Sequence, residues 1–115
     1  MNVNQHNIEE LILLCKQKNQ KAQCEIYNRY AKAMYNVSHR ILKDSHFAED
    51  VMQESFLKAF TRIDDYKQEV AFGAWLKRIV VNCSIDFYKK NNQFKPEDFD
   101  ATLYKIEETE IGILE

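Results

Sequence analysis

The sequence predicts an all-α fold, a compact bundle of about four helices. Only two glycines and one proline occur among its 115 residues, and a chain so poor in these residues favours long helices over hairpins. Four segments carry apolar residues at helical spacing, and we find no strand-like alternation of period two. The composition, 45% hydrophobic and 30% charged, suits one small domain with a single core.

The first half of the chain contains two predicted helices. A short amphipathic helix is indicated by the i, i+3, i+4, i+7 spacing of Ile8, Leu11, Ile12 and Cys15. A second helix is predicted from near Gln20 to Leu42. Its apolar face is predicted to consist of Ile26, Tyr27, Tyr30, Met34, Val37, Ile41 and Leu42.

A third helix is predicted to begin after Asp44 or Ser45. Either side chain can cap the helix, because a short side-chain oxygen accepts hydrogen bonds from the free amides of the first turn. Glu49 adds a negative charge near the helix N-terminus, which the helix dipole favours. The predicted core face comprises Phe47, Val51, Met52, Ser55, Phe56, Ala59 and Phe60.

A polar loop from Arg62 through Val70 is predicted to separate the third helix from a fourth, which runs from about Phe72 to Asn91. Pro96 then marks a boundary. We therefore expect one helical domain over residues 1–95 and an acidic linker or tail, partly disordered, over 96–115. The predicted buried stripe of the fourth helix is Phe72, Trp75, Leu76, Ile79, Val80, Cys83 and Phe87.

The net charge of −2 conceals an asymmetry. Residues 96–115 hold seven acidic residues and one lysine, a net −6, whereas residues 1–95 hold 15 basic and 11 acidic residues, a net +4. Residues 77–95 carry five of those cations against one acid, Asp86. A basic block beside an acidic tail indicates a local nucleic-acid contact rather than a globally basic protein.

Several classes of protein are not indicated. Cys15, Cys24 and Cys83 are unclustered, so we expect buried, reduced thiols and no disulfide, and no metal or cofactor is implied. No run approaches the roughly 20 apolar residues of a membrane span, and no signal peptide is evident, so we expect a cytoplasmic protein. A glycine-rich phosphate loop and a nucleophile motif are also lacking, so an enzyme is not expected.

A polar stripe lies on the third helix, where Asp50, Gln53, Glu54 and Leu57 fall at i, i+3, i+4 and i+7. Residues at this spacing share one helical face. Carboxylates that pair with arginines, beside an apolar leucine, would make a protein-binding surface. The alternative from spacing alone is an ordinary solvated face.

The fourth helix holds candidate DNA contacts. Lysine and arginine attract phosphates without distinguishing sequence, whereas an asparagine side chain suits a base edge. The alternative is that Asn82 bonds to nearby backbone and that the lysines only increase solubility. The candidates on this helix are Lys77, Arg78, Asn82, Lys89 and Lys90.

Two segments together resemble region 2 of bacterial RNA polymerase sigma factors of the extracytoplasmic-function class. Ala48-Glu49-Asp50-x-x-Gln53-Glu54-x-Phe56-x-x-x-Phe60 is similar to region 2.2, and Phe72-x-Ala74-Trp75-Leu76-x-x-Ile79-x-x-Asn82-x-x-Ile85-Asp86 is similar to regions 2.3 and 2.4. Ile26-Tyr27-x-x-Tyr30 resembles region 2.1. The resemblance extends from Ile8 to about Lys95 and implies a role in transcription initiation.

The resemblance also implies partners. Region 2.2 docks on the clamp helices of the largest subunit of core RNA polymerase, which assigns that contact to Asp50, Gln53, Glu54 and Leu57. Regions 2.3 and 2.4 recognise and melt the minus-ten promoter element, and the loop at 64–71 would receive a base flipped from the non-template strand. Tyr66 would then stack on or flank that base, with Lys67 and Gln68 on its phosphate or edge. Asn82 would contact a promoter base, and Lys77 and Arg78 the DNA backbone.

Some features depart from the family pattern. Gln23 replaces a usual aromatic residue, Gly73 and Lys77 replace commoner arginine and tyrosine, and Asp64-Asp65 adds negative charge to the loop. The sequence after Pro96 has no room for the helix-turn-helix of region 4, so we expect either a truncated piece of a sigma factor or a naturally shortened one. An alternative function is a sigma-like module that titrates an anti-sigma factor, the inhibitor class that covers region 2.

Overall fold

The computed structural model describes residues 6–91. Within that range the chain forms four α-helices and one short 3₁₀ helix, with no strand, which confirms the all-α prediction. The bounds predicted for the second and fourth helices agree with the structure. The helices are α1 (Ile8–Lys16), α2 (Gln20–Leu42), α3 (Ser45–Thr61) and α4 (Phe72–Asn91), with the 3₁₀ helix over Ile63–Asp65.

Short polar side chains start three of the helices. The side chain of Asn7 accepts a hydrogen bond from the amide of Glu10 at the start of α1, and that of Asn19 does the same for α2. At α3 the cap is Asp44, whose Oδ1 lies 2.9 Å from the amide nitrogen of Phe47. Each cap satisfies a backbone donor that has no partner within the helix.

The core lies around α2, which contacts α1, α3 and α4. Tyr30, in the middle of α2, is fully buried, and its ring packs edge-on against Phe72 of α4 at a centroid distance of 5.5 Å. Aromatic contacts of this kind add stabilisation beyond the buried area. Both later helices are therefore positioned by α2.

The buried side of α4 differs from the predicted stripe. Phe72, Leu76 and Val80 are buried as predicted, but the other four predicted residues are only partly covered. The stripe is rotated because α4 is apolar on more than one side, and packing buries the side that includes Val81 and Ser84. The partly covered residues are Trp75, Ile79, Cys83 and Phe87, and the unpredicted buried residues are Gly73, Lys77, Val81 and Ser84.

Two further expectations need correction. Phe47 was predicted to be a core residue, but it is 47% exposed, because it lies in the first turn of α3, where its ring contacts Phe87 at the edge of the bundle. The segment from Arg62 to Val70 is more than a polar loop. It contains the 3₁₀ helix and contributes two buried residues, Ile63 and Tyr66.

The three cysteines occupy different environments. Cys15 is buried and Cys83 is partly buried, but Cys24 is exposed, contrary to the expectation for it. Among residues 6–91, no helix is long and apolar enough to cross a membrane, and no group of His, Cys, Asp and Glu is arranged to hold a metal ion. The predicted boundary at Pro96 and the acidic segment 96–115 lie outside the described residues.

Candidate functional site

The polar stripe of α3 is fully on the outside of the bundle. Asp50, Gln53, Glu54 and Leu57 are all exposed, and 69% of the Leu57 surface is accessible. Neither Asp50 nor Glu54 forms an ion pair with another residue of the described range. The structure therefore brings these four predicted residues together on one surface, the α3 ridge.

Gln53 is the one member of this ridge whose side chain has hydrogen-bond partners in the described structure. Its Nε2 lies 3.4 Å from the hydroxyl oxygen of Tyr27 on α2 and 3.4 Å from Oε1 of Glu49, both long hydrogen bonds. The ring of Tyr27 packs edge-on against Phe56 at 4.9 Å. Sequence reasoning missed Tyr27 and Glu49, since a tyrosine on an apolar stripe gives no sign that its hydroxyl reaches a neighbouring helix.

Leu57 stands between two grooves. One, of about 470 Å³, lies between α3 and α4 and is lined by Cys83, Asp86 and Phe87 on the α4 side. The other, also about 470 Å³, lies between the end of α3 and the α1–α2 turn. A partner helix that packs on Leu57 therefore finds a depression on either side of it.

The outer side of α4 carries a second polar surface. Arg78, Asn82 and Asp86 are exposed at i, i+4 and i+8, and Lys89 and Lys90 are exposed in the last turn. We call these five residues the α4 ridge. Four of its members were predicted as DNA contacts, so the structure places them on one face, with the acidic Asp86 among them.

Lys77 does not belong to this ridge. It is only 3% exposed, on the side of α4 that faces the core. A lysine can bury its aliphatic stem among apolar side chains, but in this position its ammonium group does not face the solution where DNA would lie. The prediction that Lys77 contacts the DNA backbone therefore does not fit the structure.

Tyr66 is also a core residue rather than an exposed one. It is 5% exposed, and its ring lies against Phe72 at 5.5 Å and Trp75 at 5.3 Å. Its hydroxyl donates a hydrogen bond to the carbonyl oxygen of Val70 at 2.5 Å. Because both ring and hydroxyl are engaged, the predicted stacking of Tyr66 on a base does not fit this placement.

The other two predicted loop residues are exposed. Nζ of Lys67 donates to the carbonyl oxygen of Asp64 at 3.0 Å, and Gln68 has a φ of 63°, in the left-handed region that few non-glycine residues adopt. From the other side, Nζ of Lys16 donates to the carbonyl oxygen of Tyr66 at 3.2 Å. The loop thus presents Lys67 and Gln68 to solution beside the N-terminus of α4.

The family is decided by comparison with known proteins. The family model described as sigma-70 region 2 matches residues 26–94, more than half of the chain. The chain belongs to the sigma-70 region 2 family. The match covers most of α2, all of α3 and α4, and the loop between the last two, so both ridges lie inside it.

Three curated proteins that are similar to this chain are each described as an ECF RNA polymerase sigma factor. The chain is 35% identical to the ECF RNA polymerase sigma factor SigW of Bacillus subtilis, over 72% of the chain and 44% of that protein. It is 31% identical to SigE of Mycolicibacterium smegmatis, over 66% of the chain and 31% of that protein. With the sigma-E factor of Haemophilus influenzae the identity is 28%, over 90% of the chain and 54% of the relative.

These matches make the chain a region 2 domain of a sigma factor of the extracytoplasmic-function class. The chain spans less than half the length of SigW and SigE. α1, including its last residue Lys16, lies before the residues that the family model matches.

Proposed function

We propose that this sigma region 2 domain binds core RNA polymerase through the α3 ridge and recognises and melts the minus-ten promoter element through the α4 ridge and the loop before it. The polymerase performs the catalysis, and the domain acts in the cytoplasm, where polymerase and chromosome are found. The proposal is supported by the family and by the separation of two polar surfaces on adjacent helices.

The observation that carries the polymerase assignment is the exposure of the α3 ridge. A leucine with 69% of its surface accessible gains free energy when a partner covers it. The neighbouring carboxylates of Asp50 and Glu54 suit arginines, which bind carboxylates in a bidentate geometry. A coiled coil such as the clamp helices of the largest polymerase subunit would supply both apolar and cationic side chains.

The promoter assignment depends on the α4 ridge. Arg78, Lys89 and Lys90 would neutralise phosphates, and Asn82 lies between them with an amide that can both donate to and accept from a base edge. Lys67 and Gln68 extend this surface onto the loop. Tyr66 and Lys77, being buried, would act on DNA only by supporting these neighbours.

The proposal is tested by binding to a fragment of the largest polymerase subunit that carries the clamp helices. We expect Gln53→Ala combined with Glu54→Ala to raise the Kd at least about tenfold, which is about 1.4 kcal/mol. Glu9→Ala, on the exposed side of α1, is the control for loss of one negative charge. Asn82→Ala should leave this affinity unchanged and should lower open-complex formation with core polymerase.

An unchanged Kd in the double variant, with its helical content retained by circular dichroism, would contradict the polymerase assignment. If Asn82→Ala weakened clamp-helix binding as much as the double variant, the division of labour between the two ridges would be wrong. The two readouts therefore test the two surfaces separately.

A further inference from the structure

The loop at residues 67–70 is closed at its base by a single side chain. The hydroxyl of Tyr66 donates to the carbonyl oxygen of Val70, so the residues just before and at the end of this loop are joined directly. The ring of Tyr66 lies against Phe72 and Trp75 in the first turn of α4. The base of the loop is thus fixed to the helix that carries the α4 ridge.

α1 holds the same loop from the opposite side. Lys16 is the last residue of α1, and its Nζ donates to the carbonyl oxygen of Tyr66, a residue 50 positions later in the chain. This contact is partly buried, and a hydrogen bond from a charged donor is stronger than a neutral one. Lys16 lies outside the residues that match the family model.

These contacts support a backbone shape that the loop would not keep unaided. Gln68 adopts a φ of 63°, which costs free energy for a residue with a Cβ atom and persists where the surroundings hold it. Gln68 and Glu69 are exposed at the tip of the loop. Their placement therefore depends on the contacts that Lys16 and Tyr66 make.

We infer that Lys16 and the Tyr66 hydroxyl are positioning residues that set the shape in which the loop at 67–70 meets the unpaired non-template strand. This inference depends on the proposed promoter recognition. Neither group is expected to touch a base, because each already donates a hydrogen bond to a backbone carbonyl oxygen, Lys16 to that of Tyr66 and Tyr66 to that of Val70. They act by setting the shape of the loop, so their removal should change how well the domain discriminates between DNA sequences.

This role differs from that of a cation that attracts phosphate. A lysine that only neutralises a phosphate contributes equally to every sequence, so its removal lowers the affinity for a preferred and a scrambled strand by the same factor. A residue that shapes the loop changes the ratio of the two affinities. That ratio is the quantity to measure.

The experiment begins with a pool of fluorescent single-stranded DNA, randomised over ten positions, from which the native chain selects its preferred strand. The Kd is then measured for that strand and for a scrambled version of it. Tyr66→Phe removes the hydroxyl and keeps the ring, and Lys16→Met removes the ammonium group and keeps an unbranched stem. Lys32→Met, on the exposed side of α2, is the matched control for charge, and Lys16→Arg restores a cationic donor.

We expect Tyr66→Phe and Lys16→Met each to reduce the discrimination ratio at least threefold, Lys16→Arg to recover most of it, and Lys32→Met to leave it unchanged. Clamp-helix binding should be the same in all four, which shows that the bundle is intact. If Tyr66→Phe and Lys16→Met both kept the native discrimination ratio, the inference about these two residues would be wrong, while the proposed promoter recognition would stand. A native chain that selects no sequence would overturn promoter recognition itself, and the inference with it.

Discussion

Ser84 of α4 donates a hydrogen bond to Ser38 of α2, with 2.9 Å between the two hydroxyl oxygens. Both side chains are fully buried, so this contact joins α4 to the central helix of the bundle inside an apolar core. A buried hydroxyl that loses its partner costs free energy, whereas the loss of both hydroxyls is less costly.

We therefore expect Ser84→Ala to lower the free energy of unfolding by about 1–2 kcal/mol, because it leaves the Ser38 hydroxyl without this partner. The double variant with Ser38→Ala should lose less than the sum of the two single variants. Urea denaturation of the four proteins of this cycle measures the coupling. Strict additivity would mean that the two hydroxyls contribute independently.

The start of α3 offers a second test, because the sequence left two candidates for its cap. The carboxylate of Asp44 accepts from the amide of Phe47, and Ser45 is the exposed first residue of the helix. Asp44→Ala should lower the free energy of unfolding by about 1 kcal/mol. Ser45→Ala, one residue along, should change it by less than about 0.5 kcal/mol. Thermal unfolding of both variants decides between them, and equal losses would contradict the assignment.

Arg78 and Lys77 are neighbours in sequence but face opposite environments, and their responses to salt should differ. Arg78→Met should reduce the slope of log K against log salt concentration by about 0.7 for single-stranded DNA, because one phosphate contact is lost. Lys77→Met should leave the slope unchanged, since Lys77 is 3% exposed. Titrations between low and moderate salt measure both slopes. An equal reduction in the two variants would show that Lys77 reaches DNA after all.

The thiols should react in the order of their exposure. Burial raises the pKa of Cys15 from 9.0 to about 11, and only the thiolate is nucleophilic. At pH 8 an aromatic disulfide reagent should modify the exposed Cys24 rapidly and leave Cys15 unmodified until the protein unfolds. Cys24→Ser should remove the rapid phase, and rapid labelling that persists in this variant would contradict the assignment.

The raised pKa of Cys15 also determines how the free energy of unfolding changes with pH. Between pH 9 and 11 the unfolded chain loses the Cys15 proton while the folded protein keeps it, so the stabilisation associated with this thiol is present below pH 9 and is lost as the pH rises towards 11. Cys15→Ala lacks this contribution. The difference in free energy of unfolding between the native protein and Cys15→Ala, measured at pH 8 and pH 10.5, should therefore diminish at the higher pH.

The sequence predicted the helices well because their boundaries depend on local signals. The runs at Gln20–Leu42 and Phe72–Asn91 are long and carry apolar residues at helical spacing, and few glycines or prolines interrupt them. The exposure of the α3 ridge followed in the same way, since a stripe of two acids and an amide at helical spacing has few other places to lie.

The rotation of α4 was not predictable by spacing, because Trp75 and Ile79 mark one apolar side while Val81 and Ile85, also at i and i+4, mark another. Lys77 was assigned to the surface for its charge, although its stem allows burial. Tyr66 was hidden in a run of polar residues, and only the tertiary fold shows that its ring enters the core. Where a helix is apolar on several sides, packing rather than pattern decides which side is inside.

The central position of α2 has a consequence for synthesis on the ribosome. α2 leaves the ribosome first among the three long helices, and α3 can then cover part of it, but Tyr30 keeps one open flank until Phe72 arrives with α4. A nascent chain that has emerged as far as α3, but not yet α4, would therefore expose Leu57 on an incomplete bundle. The bundle is complete only when α4 has emerged. The α3 ridge and the α4 ridge would therefore reach their final positions at the same stage of translation.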